Sequence, residues 1–363
     1  MMKGISMRRC SILVIAFLLP GIASAVRAEY IRVAIADNRS SVILRSADGL
    51  VVEGVPAGRR ATVMHISGAS LGRGRLRVRS QSAFIEVDGT RYRGIVEVRR
   101  RGNGRLLVVN DLALEAYLQG VVAAEIPHDW EMEALKAQAV ASRTYALHQK
   151  RTAGRRPYHI LATVDSQVYL GARGERPRAL RALEETRGEV ILHRGKLIQA
   201  FYHASCGGRT EDASELWGID APYLKGVDCD CQQISSYGTW ERRFSIPAVL
   251  RALRREGYRL NAIDGVAGGA ITAGGRVMDV QFRHAGGMLS VPAESLRAVL
   301  GYSRVPSIFF EPELDDREVV FSGRGLGHGV GLCQWGAKEM AGRGHDYRAI
   351  LAHYYPGTTI GRW

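Results

Sequence analysis

The chain has 363 residues, 46% of them hydrophobic and 24% charged, which is enough apolar material for a buried core and excludes a disordered polymer. Lys and Arg total 50 against 36 Asp and Glu, a formal charge of +14 that suits an anionic partner. Only six of the 50 are lysine (Lys3, Lys136, Lys150, Lys196, Lys225, Lys338), and the basic residues are dispersed, with no lysine-rich tail, zinc finger or basic zipper, so nucleic acid is not the expected partner.

Lys3, Arg8 and Arg9 precede an apolar run from Ile12 to Leu19, and Ala23-Ser24-Ala25 follows it. That order reads as a secretory signal over residues 1–28, and the run is too short to span a bilayer comfortably. The expected location is secreted or extracytoplasmic, in periplasm or cell wall, with membrane tethering only if the signal stays attached and no integral membrane domain once it is removed. Residues 29–104 read as β-rich, with short strands at Ile31–Ile35 and Phe84–Val87, and a further strand at Arg105–Val109 follows.

From Leu112 the periodicity turns helical. Leu114, Tyr117, Leu118, Val121 and Val122 form one apolar face, Asp111 is placed to cap the start, and Pro127 ends the helix after Ile126. Eleven residues beyond Leu114, Glu125 returns to nearly the same direction, whereas Glu115 points elsewhere. A carboxyl on an apolar stripe, at the negative end of a helix dipole, is driven toward its protonated form by both effects. A glutamic acid protonated near neutrality is what a general acid for glycoside cleavage needs; the plain alternative is a surface carboxylate or one paired with arginine.

A second helix is expected over Glu131–Lys150, capped by Asp129. Its alanines (Ala134, Ala137, Ala139, Ala141) permit close packing, and Gln138 and Arg143 are candidates to line a groove, against a default of a solvated helix face. Residues 160–235 mix strands with glycine-marked turns. Residues 240–320 read as a smaller α+β unit with a helix over Ile246–Glu256 and a strand over Val277–Phe282. The fold class is therefore α+β: a β-rich N-terminal region, then a mixed helix/strand core over 105–363 carrying a smaller α+β insertion.

Apart from Cys10, the cysteines are Cys206, Cys229, Cys231 and Cys333. An even number in a secreted chain allows two disulfides. His203-x-x-Cys206 with Cys229-x-Cys231 equally offers four ligands for a closed tetrahedral zinc, and free thiols are the third reading. The loop Gly323–Gly331 lacks the G-x-G-x-x-G register of a phosphate cradle. Its alternating glycines suit close approach of backbone to a polymer, with His328 presented from the loop or held as a structural histidine.

Five segments taken in order, Leu114–Pro127, Ala134–Tyr145, His203–Glu211, Gly327–Ala337 and His353–Thr358, resemble the SpoIID/LytB family over residues from about 105 to the end. The resemblance implies an extracytoplasmic lytic transglycosylase acting on peptidoglycan glycan strands, especially strands stripped of stem peptides, and leaving 1,6-anhydromuramoyl ends. The family's catalytic acid corresponds to Glu125, and the chemistry requires no cofactor. On that reading Arg143 and Arg209 are candidates to pair with lactyl carboxylates, while Tyr145, Trp217 and Trp335 are candidates to stack on sugars. Gln138, His328 and Gln334 complete the expected substrate-binding set, and His203, Cys206, Cys229 and Cys231 are the ligands of a structural zinc of the kind seen in some relatives. Cys333 stands where many members carry serine. Some relatives are described as enhancers of a cell-wall amidase, which makes a non-catalytic wall-binding protein the alternative. A zinc-dependent hydrolase is disfavoured by a sulfur-rich ligand shell with no open position.

Overall fold

The computed structural model describes residues 29–55, 61–72 and 74–363; the expected signal at 1–28 lies outside the described residues. Strands β1 (Tyr30–Arg39), β2 (Ser41–Val52), β3 (Ala61–Ser67), β4 (Arg75–Ser80), β5 (Ile85–Val87), β6 (Thr90–Tyr92), β7 (Ile95–Arg100), β8 (Leu106–Ala113) and β9 (Ile160–Leu161) form one nine-stranded sheet. The order is β6-β5-β2-β4-β7-β8-β1-β9, with β3 on β2; β9 joins β1 in parallel. Side chains alternate across the sheet, and Ile31, Val33, Val96, Val98, Leu106 and Val108 are fully buried on one face. The division expected at 104/105 falls between β7 and β8, which are neighbours in this sheet. Asp111, expected to cap a helix, lies in β8 and accepts a 3.0 Å hydrogen bond from Arg77 Nη1; pairing on both flanks, with β1 and β7, holds the chain extended there.

The helix expected over 112–126 is two pieces, α1 (Leu114–Gln119) and α2 (Val122–Glu125). The break comes at Gly120, where the Tyr169–Gly171 segment packs so closely that a side chain would meet the Tyr169 ring at 2.6 Å and the Gly171 carbonyl at 2.7 Å. The predicted apolar face holds, since Leu114, Tyr117, Leu118, Val121 and Val122 are all buried. Ile126 is extended before Pro127, as the proline requires. The chain then turns through a Trp130 N–H to Pro127 carbonyl bond into α3 (Met132–Thr152). Glu131 occupies the cap position without a side-chain capping bond, so Asp129 lies too early to serve.

α3 is the axis of the molecule. From Ala134 to Leu147 every residue except Lys136 is buried, which corrects the expectation of a solvated face or an open groove for Arg143. That guanidinium instead grips Glu115 with two bonds, Nε to Oε1 at 2.7 Å and Nη2 to Oε2 at 2.9 Å, and donates to the Glu189 carbonyl at 3.2 Å. Arg143 therefore ties α3 to α1 and is not available to a substrate carboxylate.

The chain continues through α4 (Pro177–Glu185), β10 (Glu189–His193), β11 (Lys196–Leu197), β12 (Tyr202–His203) and α5 (Ala213–Trp217). The insertion follows as β13 (Trp240–Ser245), α6 (Ile246–Arg255), β14 (Gly265–Gly268), β15 (Asp279–His284), β16 (Gly287–Pro292), α7 (Ala293–Leu300), β17 (Phe310–Asp315) and β18 (Glu318–Gly323). It makes two three-stranded sheets, β13-β18-β17 and β14-β15-β16, close to the expected 240–320 unit. The chain ends with β19 (Leu332–Cys333), α8 (Gln334–Gly342), α9 (Tyr347–Tyr354) and β20 (Thr359–Arg362). β12 and β19 pair in parallel, Tyr202 with Leu332 and His203 with Cys333, so residues far apart in sequence flank the middle of α3. The whole is an α+β fold.

Arg143 is buried while Glu115 keeps 26% of its side chain exposed, so losing the guanidinium strips a partner from a half-buried carboxylate and a donor from the Glu189 carbonyl. Arg143→Met should lower the urea unfolding free energy by about 3 kcal/mol; a loss under about 1 kcal/mol would assign the residue to the surface instead.

Candidate active site around Glu125

Glu125 closes α2 with its carboxyl packed among side chains of four elements. Oε1 accepts the Val168 N–H at 2.6 Å, and the Tyr202 hydroxyl and Gln334 amide also face the carboxyl. Burial pushes its pKa from 4.5 up to about 7, against the lowering effect of those three donors. Desolvation wins because every donor is neutral. Among the described residues, no second carboxylate contributes to this acidity.

Gln334 Nε2 also donates to Gln138 Oε1 at 3.3 Å, and Gln138 Nε2 to Ser142 Oγ at 3.0 Å; both glutamines are buried. Tyr145 is buried against the rings of Phe201 and Tyr202, with centroids 6.2 Å away in each case. Trp335, next to Gln334, packs tilted against Trp130 with ring centroids 5.0 Å apart. Glu125, Gln138, Tyr145 and Gln334 thus converge. Arg209 does not join them: it is exposed, and its guanidinium is engaged by Asp228 at 2.5 Å and the Gly226 carbonyl at 3.3 Å.

The glycine loop serves its own chain. Gly325, Gly327, Gly329 and Gly331 all have positive φ, and added side chains would meet the Ser205 carbonyl at 2.7 Å, the His203 side chain at 3.0 Å, the Arg276 guanidinium at 2.2 Å and the Phe201 carbonyl at 2.2 Å. The glycines admit these internal contacts, which corrects the expectation of a loop open to a polymer. His328 is accordingly held, not presented. Its Nδ1 accepts the Val330 N–H at 3.0 Å and its Nε2 donates to the Tyr202 carbonyl at 3.0 Å. Burial takes its pKa down to about 4, so the ring is neutral with its proton on Nε2. Trp217 packs against His328 at 5.0 Å and Phe201 at 4.8 Å while remaining 37% exposed.

Three participants were not foreseen: Tyr202, Gln167 and the Val168 N–H. Tyr202 directly precedes the His203–Glu211 segment, where its neighbour carries the metal reading. Gln167 and a backbone N–H carry no chemical signature in a sequence.

The sulfur ligands also differ from the expected set. The Sγ atoms of Cys206, Cys229, Cys231 and Cys333 lie within 4.8 Å of one another, all buried, with no disulfide among them. His203 is not the fourth member. Its Nδ1 meets the Val330 carbonyl at 3.1 Å and its ring packs on His328 at 5.4 Å; the β12–β19 pairing brings in Cys333 instead. The geometry fits a zinc ion, since tetrahedral Zn–S bonds of about 2.3 Å place sulfurs about 3.8 Å apart. The surroundings fit thiolates: the N–H groups of Cys206 and Gly336 point at Cys333 Sγ from 3.3 and 3.4 Å, and the Tyr354 hydroxyl lies 3.1 Å from Cys229 Sγ. Cys231 is pushed toward thiolate because the other three thiols donate to it, and Cys206 and Cys333 are pushed the other way.

Residues 102–193 match the family model described as SpoIID, stage II sporulation protein. A stage II sporulation protein D from Bacillus amyloliquefaciens is 30% identical across 69% of this chain and 75% of its own. The chain belongs to the SpoIID family. An uncharacterized protein of Brachyspira hyodysenteriae is 35% identical over 71% of this chain and 69% of its own. The amidase enhancer of Bacillus subtilis is 30% identical over 77% of this chain but only 45% of its own length. In this SpoIID-family member the segment matched by the family model holds Glu125, Gln138, Tyr145 and Gln167, whereas Tyr202, the cysteines and Gln334 lie beyond it.

Below about pH 4.5 the Glu125 carboxyl is neutral whether the chain is folded or unfolded; above about 7 the fold must bury its charge. Stability is therefore lost as pH rises through that window, by roughly 3 kcal/mol. Glu125→Gln escapes the loss. By urea unfolding the variant should exceed the parent by roughly 3 kcal/mol at pH 8 and match it within about 0.5 kcal/mol at pH 4; an equal difference at both pH values would mean the carboxyl sits in water.

Proposed function

We propose that the protein works on the cell wall outside the cytoplasm, as a lytic transglycosylase that cleaves peptidoglycan glycan strands. The carrying observation is one partly buried carboxyl, protonated to about neutrality because desolvation outweighs the neutral donors around it. Glycoside hydrolases use two carboxyl groups at a set separation; intramolecular ring closure needs one. Glu125 gives its proton to the glycosidic oxygen as the bond from the muramoyl C1 breaks. The C6 hydroxyl of the same sugar then bonds to C1 and returns its proton to Glu125, closing the 1,6-anhydro ring. In the interval the Val168 N–H, Tyr202 and Gln334 stabilise the carboxylate. Trp217, 37% exposed beside Phe201 and His328, is the aromatic best disposed to meet a sugar face; Tyr145 is buried and Trp335 less exposed than Trp217.

Purified protein incubated with denuded glycan strands should release 1,6-anhydromuramoyl products detectable by mass spectrometry, and Glu125→Gln should lower their formation by at least about 100-fold. Unchanged product formation in the variant would remove Glu125 from the chemistry.

The second reading, a non-catalytic protein that stimulates a cell-wall amidase, draws on the amidase enhancer relative. It predicts amidase stimulation that survives Glu125→Gln. Export by the N-terminal segment belongs to both readings, and among the described residues no helix is long and apolar enough to cross a membrane.

Cys206, Cys229, Cys231 and Cys333 would hold a structural zinc; a four-sulfur shell leaves no open position, so the ion would supply cross-linking alone. Metal analysis of the purified protein should find about one zinc per chain, lost in Cys333→Ala and retained in His203→Ala. Metal-free protein with four titratable thiols would exclude it.

A further inference from the structure

The polar atoms around Gln167 admit a single arrangement. The side chain is fully buried. Its Nε2 lies 3.3 Å from the Ser142 carbonyl and 3.0 Å from the Tyr202 hydroxyl, and its Oε1 3.0 Å from the Tyr117 hydroxyl. A backbone carbonyl can only accept, so Ser142 decides which end of the amide carries the nitrogen. The amide must then donate to Tyr202 and accept from Tyr117. With its oxygen already accepting from Gln167, Tyr202 has its own proton to give, and it faces both the Glu125 carboxyl and the Ser142 hydroxyl; Ser142 Oγ already accepts from Gln138, and the carboxylate is the stronger acceptor. The peptide that follows Gln167 supplies another donor, the Val168 N–H at 2.6 Å from Glu125 Oε1.

We infer that Gln167 is the positioning residue of the Glu125 acid: clamped by Tyr117, Ser142 and Tyr202, it orients the Tyr202 proton through its side chain and the Val168 N–H through its backbone. It acts through these groups and not on substrate, and its catalytic meaning rests on the reading of Glu125 as the acid. Two donors set by one side chain keep the carboxylate that forms after proton donation from becoming too strong a base, and keep its oxygens aimed.

The titratable groups facing Glu125 are Tyr117 from α1, Tyr145 from α3 and Tyr202 from β12, and burial pushes all three phenols up. They stay neutral through the range in which Glu125 titrates, and Gln334 from α8 carries no charge. A change in that titration therefore reports the donors.

The full chain labelled with carboxyl-¹³C glutamate gives the readout, with the Glu125 signal identified by its loss in Glu125→Gln. Gln167→Met should raise the Glu125 midpoint by about one pH unit or more and Tyr202→Phe by less, because Gln167 governs two donors and Tyr202 is one. The double variant should move no further than Gln167→Met alone, since the Tyr202 effect is already contained in it. On glycan strands Gln167→Met should reduce kcat at least about tenfold with KM within about twofold, the pattern of an effect confined to the chemical step. Should Gln167→Met fail to fold, Tyr117→Phe loosens the same amide and should shift the midpoint upward by a smaller amount. An unchanged midpoint in the folded variant, or shifts that simply add in the double variant, would overturn the assignment. The expected shifts in a protein that yields no anhydro products would uphold it and count against the transglycosylase reading instead.

Discussion

Glu125 is a carboxyl largely withdrawn from water, though still partly exposed, and surrounded by donors that carry no charge. A full ion pair at this position would lock the carboxylate on, whereas purely apolar walls would leave a base too strong to release its proton. Three neutral donors against desolvation leave the group poised near neutrality, where it can both give and take a proton. Most of the surrounding structure can be understood as what is required to keep those donors in register.

The donors arrive from distant parts of the chain. Val168 comes from the segment after β9, Tyr202 from β12 and Gln334 from the first position of α8. The parallel pairing of β12 with β19 sets the last two side by side, and the pairing depends on a loop that only glycine can follow: at Gly331 a side chain would collide with the Phe201 carbonyl at 2.2 Å. Cys333 ends β19 and accepts the Gly336 N–H at the start of α8, so the sulfur cluster anchors the same junction that presents Gln334. The insertion is fastened to this region by Arg276, whose guanidinium reaches Glu211 at 3.1 Å and the Cys206 carbonyl at 2.9 Å.

Much of the architecture could be read in advance because it follows from local pattern. Alternation marked the strands around Ile31 and Val108, and the Leu114–Val122 stripe marked an apolar helical face. Proline at 127 marked its end. Errors arose where a distant segment imposed itself. Asp111 looked like a helix cap, but strands on both sides held it extended. The helix broke at Gly120 because Tyr169 leans on it. Arg143 looked free for substrate, but Glu115 had claimed it. Cys333, not His203, completed the sulfur cluster, because strand register and not sequence spacing brought the ligands together.

The sequence by itself determined the α+β character, the helical segments of the core and the candidacy of Glu125, since these depend on periodicities of two and 3.6 residues and on the chemistry of one side chain. Only the tertiary structure decided what surrounds that carboxyl: the Val168 N–H, the Tyr202 hydroxyl oriented through Gln167, and the Gln334 amide. Hydrogen-bond direction and desolvation depend on which atoms meet across the fold, and the contacts that fix them here join residues 35 to 196 positions apart.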